Sequence, residues 1–388
     1  MVRVVDGAFG VYVHVPFCAA RCDYCDFATW TDRAHLIDDY VGACVQDVER
    51  RALPPATSVF FGGGTPSLLE ATQLVRILDA IPRAAGAEVT VECNPDSVDR
   101  AKLEAYAAAG VNRVSFGVQS MQPHVLAALG RTHDPANVVR AIDAAHTAGI
   151  ERVNVDLIYG TPGESVEDWA ATLDEALALG PTHVSAYALT VEPGTPLGRA
   201  VEAGTRVAPD DDDQAVKYEL ADDRLRAAGF EWYEISNWAP PGEECRHNVL
   251  YWTQGEYAGV GCAAHGHTVL PAGSARRWWN VRTPDRYIGA VMAGDSTEAG
   301  HEVLDERERS AERLTLALRT RPGIKLGDAE ADLSDMAACL DELAGAGLVE
   351  TDGARAHLTR RGRLLATAVT ARVLAALDGH PVAPAGTR

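Results

Sequence analysis

Six short apolar runs in the first half of the chain, each followed by a turn and an Ala/Leu-rich stretch, restrict the fold more than any other feature. They are Val11–Val15, Ser58–Phe61, Glu88–Glu92, Arg113–Phe116, Arg152–Ile158 and His183–Tyr187. Runs rich in β-branched residues and bounded by turns fit strands covered on both faces, as in a parallel sheet. The stretches between them carry helix signals. Ser97 is placed to cap a helix through Leu103 and Tyr106 that stops at Gly110. Asp134-Pro135 opens another that stops at Gly149, and Ser165 a third that ends at Gly180-Pro181. Six β-α units in series predict an α/β fold, either a parallel barrel or a doubly wound sheet. Both put functional loops at the C-terminal ends of the strands.

The rhythm stops near Leu197. The acidic run Asp210–Asp213 reads as a solvated helix start. Between 230 and 290 the composition changes: Trp232, Trp238, Trp252, Trp278 and Trp279 fall there, with Tyr233, Tyr251, Tyr257 and Tyr287. This predicts a second, irregular β-rich layer. From Asp305 the pattern is helical again. Met336, Leu340 and Leu343, then Gly345 and Gly347, then two short apolar runs around Asp352-Gly353, predict a small winged-helix-like module. The expected divisions are 1–200, 201–300 and 301–388.

Charge narrows the partners. Asp plus Glu total 55 against 35 Lys plus Arg, a formal net charge of -20. Nucleic acid and anionic membrane surfaces require positive charge, so neither is expected as the main partner. The winged tail has no basic excess, with 12 Lys/Arg and 14 Asp/Glu over 301–388. No apolar run approaches the roughly 20 residues of a membrane span, and Met1–Asp6 lacks an export signal's apolar core. A cytoplasmic location is expected, and eight cysteines there read as thiols or metal ligands rather than a disulfide scaffold.

The strongest motif is Cys18-Ala-Ala-Arg-Cys22-Asp-Tyr-Cys25, directly after the first strand. Three thiolates this close in one loop can hold three irons of a cubane cluster and leave the fourth iron open to an exchangeable ligand. A partial zinc site or chance clustering is the plainer alternative. The run Phe61-Gly62-Gly63-Gly64-Thr65-Pro66 ends the second strand. Its glycines let backbone N–H groups approach a ligand, although alone it reads equally as a turn. Cys44 and Cys339 lie in helical patterns and read as core. Cys93 sits at a strand end outside the triplet. Cys262, His265 and His267 form a tempting metal trio, but Gly259, Gly261 and Gly266 point more simply to a tight turn.

Together these motifs resemble the radical SAM superfamily. Glu92-Cys93-Asn94-Pro95, Gly117-Val118-Gln119-Ser120, Asp156–Gly160 and Glu192-Pro193-Gly194-Thr195-Pro196 narrow the resemblance to the branch holding oxygen-independent coproporphyrinogen III dehydrogenase and the HemW heme chaperones. The likeness runs along nearly the whole chain. It implies a partial parallel (β/α)6 TIM-like barrel. It also implies a 4Fe–4S cluster on Cys18, Cys22 and Cys25, and S-adenosylmethionine (SAM) chelated to the open iron and cleaved to a 5′-deoxyadenosyl radical. Tyr12, Gly63, Gly64, Thr65, Glu92, Gln119, Arg131 and Asp156 fall where the family contacts SAM. Tyr24 falls where an aromatic packs near adenine, and Ile158 and Ala188 on further SAM-lining positions. The residue types suit the roles, Glu92 for the ammonium and Arg131 for the carboxylate. Without the family, Glu92 reads as a strand-end acid and Arg131 as a solvated charge.

Two features choose within the branch. The dehydrogenase carries a fourth cysteine two residues past the third, where this chain has Phe27, and only 17 residues precede Cys18. Both weaken the dehydrogenase reading. The run His247-Asn248-Val249-Leu250-Tyr251 resembles the heme-associated His-Asn-x-x-Tyr motif of the chaperones. Imidazole is a common heme ligand, and the tryptophans nearby suit an apolar macrocycle. A buried histidine in a structural aromatic cluster is the alternative. The resemblance implies a protein that binds heme and hands it to an acceptor hemoprotein. An electron donor for the cluster is expected as well, and peripheral membrane association through the acceptor. The rivals are oxidative decarboxylation of coproporphyrinogen III and a cluster-only binding module.

Overall fold

The six apolar runs become six parallel strands in a computed structural model that describes residues 7–131, 133–326 and 333–377. They are β1 (Phe9–Val15), β2 (Ala56–Gly63), β3 (Arg83–Cys93), β4 (Arg113–Gln119), β5 (Arg152–Tyr159) and β6 (His183–Ala188). Parallel neighbours need crossover connections, supplied by helices such as Ile37–Arg51 between β1 and β2 and Val166–Ala178 between β5 and β6. A doubly wound sheet reverses its strand order at a switch point. Here the order runs from β1 to β6 without reversal, which is the wall of a barrel.

Alternation divides each strand between two environments. Val11, Val13, Val59, Phe61, Val91, Val114, Phe116, Val153, Val155 and Leu157 are fully buried in the main core. Burying each such side chain stabilises by about 1.5–3 kcal/mol, so this apolar set holds the wall together. The other set is largely polar. Tyr12 pairs with Phe60, Glu92 with Ser115, Ser115 with Asn154, and Asp156 with Ser185 in the strand register.

Local capping chemistry mostly follows the sequence. Asp134 accepts from Ala136 N at 2.9 Å and caps the helix Pro135–Thr147. Ser165 and Asp168 form a capping box at the head of Val166–Ala178. Asp210 caps Asp211–Ala227. The expected cap at Ser97 is corrected. Asp99 accepts from Lys102 N at 2.8 Å and starts the helix Arg100–Ala108. Ser97 ends a preceding 3-10 turn, and its hydroxyl bonds instead to Ser67 and to Asn94 O.

The aromatic segment is not a second layer. Its strands extend the same sheet from both edges. On one side β7 (Glu231–Glu234) and β8 (Asn237–Ala239) follow β6. On the other, β9 (Glu256–Val260) pairs parallel to β1 and continues into β10 (His265–Val269), β11 (Ala275–Asn280) and β12 (Glu298–Leu304). The helix Arg246–Trp252 joins the two extensions in sequence and spans the gap between them. Asn248 reaches Tyr233 and Glu234 on β7, while Tyr251 packs edge-on against Tyr257 on β9 at 4.7 Å.

The C-terminal part has its own core, including Leu318, Ile324, Leu340, Leu343, Val349 and Leu358. Helices Glu306–Leu318, Leu333–Gly345 and Ala366–Leu377 surround a three-stranded antiparallel sheet of β13 (Ile324–Lys325), β14 (Val349–Thr351) and β15 (Arg355–Leu358), as the winged-helix pattern predicts. Cys44 and Cys339 are buried in the main and C-terminal cores respectively. Several ion pairs tie this part to the rest of the chain, among them Arg360 with Asp223, Arg321 with Glu231 and Arg277 with Glu312. The most buried is that of Arg363 with Asp222. Arg363 donates two bonds to buried Asp222, at 3.0 and 2.8 Å, and lies over the Trp232 ring at 4.7 Å.

Candidate functional site

The cysteine loop leaves the C-terminal end of β1 and folds back on itself. Cys18 N bonds to Trp30 O, and Trp30 N to Pro16 O. The glycine run at the end of β2 packs directly beneath. Gly64 N donates to Val15 O, and Thr65 N to Phe17 O, each at 2.8 Å. A Cβ at Gly64 would meet Phe17 O at 2.7 Å and Cys18 Sγ at 3.1 Å, so only glycine lets these two loops touch. Thr65 Oγ1 reaches Cys18 Sγ at 3.7 Å. Burial pushes the Cys18 thiol up, while the Thr65 and Thr29 hydroxyls and Arg131 pull the other way.

Among the described residues, no three His, Cys, Asp or Glu side chains converge so as to share one metal ion. That sets aside the Cys262, His265 and His267 trio. Cys262 receives a bond from Tyr40, and a Cβ at Gly259 would strike His265 O at 2.1 Å, so the glycines serve a tight turn. For the cysteine triplet a single focus is not required. In a cubane each thiolate takes a different iron, so spaced sulfurs in a glycine-backed loop fit a cluster.

The residues expected at SAM fall into two neighbouring groups. The first stands at the barrel mouth. Arg131 is hydrogen-bonded to Tyr24 and acts electrostatically on Cys22 and Cys18. A Cβ at Gly117 would meet Gln119 Nε2 at 3.0 Å and Arg131 Nη2 at 3.1 Å, so these side chains lie over one glycine. Gln119 has φ +65° beside a register shift in β4, which turns it out of the strand pattern. Arg131 Nε is buried without a partner among the described residues. An orphan guanidinium N–H beside the thiols suits a carboxylate ligand, so this corner fits the methionine end of SAM.

The second group lines the lumen below. A cavity of about 240 Å³ is bounded by Tyr12, Glu92, Ser115, Asp156, Tyr187 and other polar groups. Glu92 accepts from Gly63 N at 3.1 Å. Burial and the neighbouring Asp156 push its carboxyl up to about 8, with the Gly63 N–H opposing. With its carboxyl raised, Glu92 holds its proton at neutral pH, and a cation beside it would favour the ionised form. Ile158 and Ala188 lie outside this lining. Ile158 packs with Val125, Leu129 and Tyr24, and Ala188 is half-buried at the end of β6.

His247 lines the same cavity and stacks on Tyr12 at 6.5 Å. It is 1% exposed, its Nδ1 lies 2.9 Å from Ser58 Oγ, and its Nε2 lies 2.9 Å from the Tyr251 hydroxyl. Glu88 accepts from the backbone of Arg246 at 2.7 Å and of His247 at 3.3 Å, pinning the helix start. Burial lowers the imidazole to about 3, so it is neutral. Both ring nitrogens are engaged within the chain. The tryptophans expected around a macrocycle lie elsewhere. The described lining holds tyrosines and Phe60 but no tryptophan, while Trp238 is in the core and Trp278 packs on Gly266 and Arg51.

His14 was not singled out from sequence. Its ring occupies the space a Cβ at Gly63 would need, at 2.4 Å, and its Nε2 meets Ala28 O at 2.9 Å behind the cysteine loop. The available signal was a polar residue two positions after Tyr12, on the same face of a strand.

A parallel barrel wall with three cysteines in the loop after its first strand defines a radical SAM protein. The model of the radical SAM superfamily matches residues 12–176, and that of the HemN C-terminal domain residues 304–365. The fold resembles coproporphyrinogen III oxidase (HemN) from Escherichia coli, with TM-score 0.81 at 22% identity over 94% of this chain and 90% of that one. The chain belongs to the HemW family. It is 44% identical to the heme chaperone HemW of Mycobacterium tuberculosis over 94% of this chain and 95% of that protein. It is 37% identical to that of Escherichia coli over 78% and 82%, and 33% identical to that of Bacillus subtilis over 92% and 97%.

Proposed function

We propose that this protein binds heme and hands it to an acceptor hemoprotein, while holding a 4Fe–4S cluster and SAM at the barrel mouth. The observation that carries this reading is the shared cavity. The His-Asn-x-x-Tyr helix and the acids Glu92 and Asp156 line one lumen. Curated relatives of nearly equal length bear the name heme chaperone.

Each group has a role its chemistry suits. Cys18, Cys22 and Cys25 hold the cluster. Arg131 takes the SAM carboxylate, and Glu92 its ammonium, with Tyr24 and Gln119 beside the mouth and Tyr12 and Asp156 in the lumen wall. Together the bound cluster and SAM supply one-electron chemistry. His247 is neutral, so a ring nitrogen lone pair is available to iron once one hydrogen bond is exchanged. Because both ring nitrogens are bonded within the chain, that exchange requires the Arg246–Trp252 helix to shift against Ser58 or the Tyr251 hydroxyl to turn away. No helix among the described residues is long and apolar enough to cross a membrane. The reading places the protein in the cytoplasm, with an electron donor for the cluster and peripheral membrane association through the acceptor.

The rival reading is coproporphyrinogen III dehydrogenation. Against it stands Phe27, 64% exposed, in the place of the dehydrogenase's fourth cysteine. Anaerobic reconstitution, heme titration and a coproporphyrinogen III turnover assay on one sample decide the matter. The expected result is stoichiometric heme binding and no protoporphyrinogen IX. Turnover lost on mutating Cys22 overturns the proposal in favour of the dehydrogenase. Absence of heme binding leaves a cluster-only module.

A further inference from the structure

An unbroken line of hydrogen bonds runs along the lumen wall from Asp156 to the motif helix. Asp156 Oδ1 accepts from Asn154 Nδ2 at 2.9 Å. Asn154 Oδ1 lies 2.7 Å from His183 Nδ1, and His183 Nε2 lies 2.8 Å from the Tyr233 hydroxyl. Tyr233 in turn accepts from Asn248 Nδ2 at 3.0 Å. The line passes through four elements that no sequence pattern links: β5, β6, β7 and the helix Arg246–Trp252.

The donors and acceptors allow one direction only. The Asn248 amide donates to Tyr233 oxygen, so the Tyr233 O–H is turned toward His183 Nε2. His183 must then carry its proton on Nδ1, and it gives that bond to Asn154 Oδ1. The Asn154 amide ends the series on the Asp156 carboxylate. Every step points toward Asp156. Burial and Arg113 keep His183 neutral, as this tautomer requires.

From this we infer that His183 and Tyr233 are positioning residues that couple SAM occupancy at Asp156 to the placement of the His247-Asn248 helix. The inference rests on the heme-carrier reading. A cation beside Asp156 favours its ionised form. Hydrogen bonds to an ionised acceptor are roughly twice as strong as neutral ones, and bonds in series polarise one another. SAM therefore tightens the line and holds Asn248 on Tyr233. Heme loading at His247 shifts the same helix and loosens the Asn248 bond to Tyr233, so the two ligands oppose each other. Linkage makes the effect reciprocal: SAM weakens heme binding by the factor by which heme weakens SAM binding.

The test uses reconstituted full-length protein. Heme affinity is read from the Soret titration with and without saturating SAM, and SAM affinity by calorimetry with and without heme. In wild type the expected ratio is about 5- to 150-fold, the ordinary range of coupling between sites. Tyr233→Phe removes the hydroxyl and keeps the ring, and is expected to bring the ratio to about one while both ligands still bind. A wild-type ratio of one overturns the inference and needs no variant. A ratio unchanged in Tyr233→Phe also overturns it, since steric competition in the shared cavity does not depend on that hydroxyl. Protein that binds no heme at all marks the failure of the heme-carrier reading, not of the line.

Discussion

The Ser58 hydroxyl and His247 Nδ1, 189 positions apart in the chain, meet at 2.9 Å inside the barrel. Through that bond a helix from outside the β-α repeat becomes part of the lumen wall. Gly10 makes room for it, because a Cβ there would come within 2.9 Å of His247 Cε1.

Replacing His247 by Ala leaves the Ser58 hydroxyl without its partner in a buried site and opens a cavity beside Phe60. We expect a loss of about 2–4 kcal/mol in stability from those two effects. The heme Soret band shifts or the bound fraction drops, while cluster iron, assayed before heme is added, stays at the wild-type value. An unchanged heme spectrum in a destabilised variant assigns His247 a packing role alone.

Anaerobically reconstituted protein is expected to carry one 4Fe–4S cluster. Cys18→Ala, Cys22→Ala and Cys25→Ala each abolish cluster absorbance and iron, since two thiolates hold a cubane poorly. Cys44→Ala and Cys339→Ala keep full iron, because both thiols are buried in cores away from the loop. Full iron in the triple variant sinks the assignment.

Glu92→Gln keeps the side chain's shape and removes its charge. SAM affinity is expected to fall roughly ten- to a hundredfold, the worth of a charge-assisted bond of about 1.5–3 kcal/mol. The wild-type carboxyl sits at about 8, and an α-ammonium titrates near the same value, so the pH profile of SAM affinity around pH 8 should differ between wild type and variant. With a folded value above its unfolded one, Glu92 binds its proton more tightly in the folded state. Ligand-free wild type therefore loses stability between the usual carboxylate range and about pH 8. Melting curves across that window should decline less in Glu92→Gln.

Asp222→Ala strands Arg363 between Trp232 and Tyr218 without a counter-charge. Breaking a buried pair from one side costs about 3–5 kcal/mol. The C-terminal part should then be released sooner in limited proteolysis, with heme and iron content measured on the intact chain. Cleavage at the wild-type rate contradicts the tether.

Much of the barrel was legible in the sequence. Strand and helix signals are local, so β1 to β6 and the caps at Asp134, Ser165 and Asp210 follow from periodicity and turn chemistry. Ser97 misled because Asp99, two residues on, offers an equally good acceptor, and Pro95 had already committed Ser97 to a 3-10 turn. The cysteine loop was legible because its three thiols lie within eight residues. His14 was passed over because nothing local shows that a glycine from the next strand would sit on its ring.

Alone, the sequence determined what short-range geometry can encode: which stretches are strands, where helices begin, and that three thiols share a loop after the first strand. The tertiary structure decided the rest. It placed the aromatic segment on both edges of the sheet, set Glu92, Asp156 and His247 around one cavity, and paired Asp222 with Arg363, 141 positions away. A buried polar group must find its partner wherever the folded chain brings one within about 3 Å. Periodicity reports which face of an element is buried, but not what lies across from it.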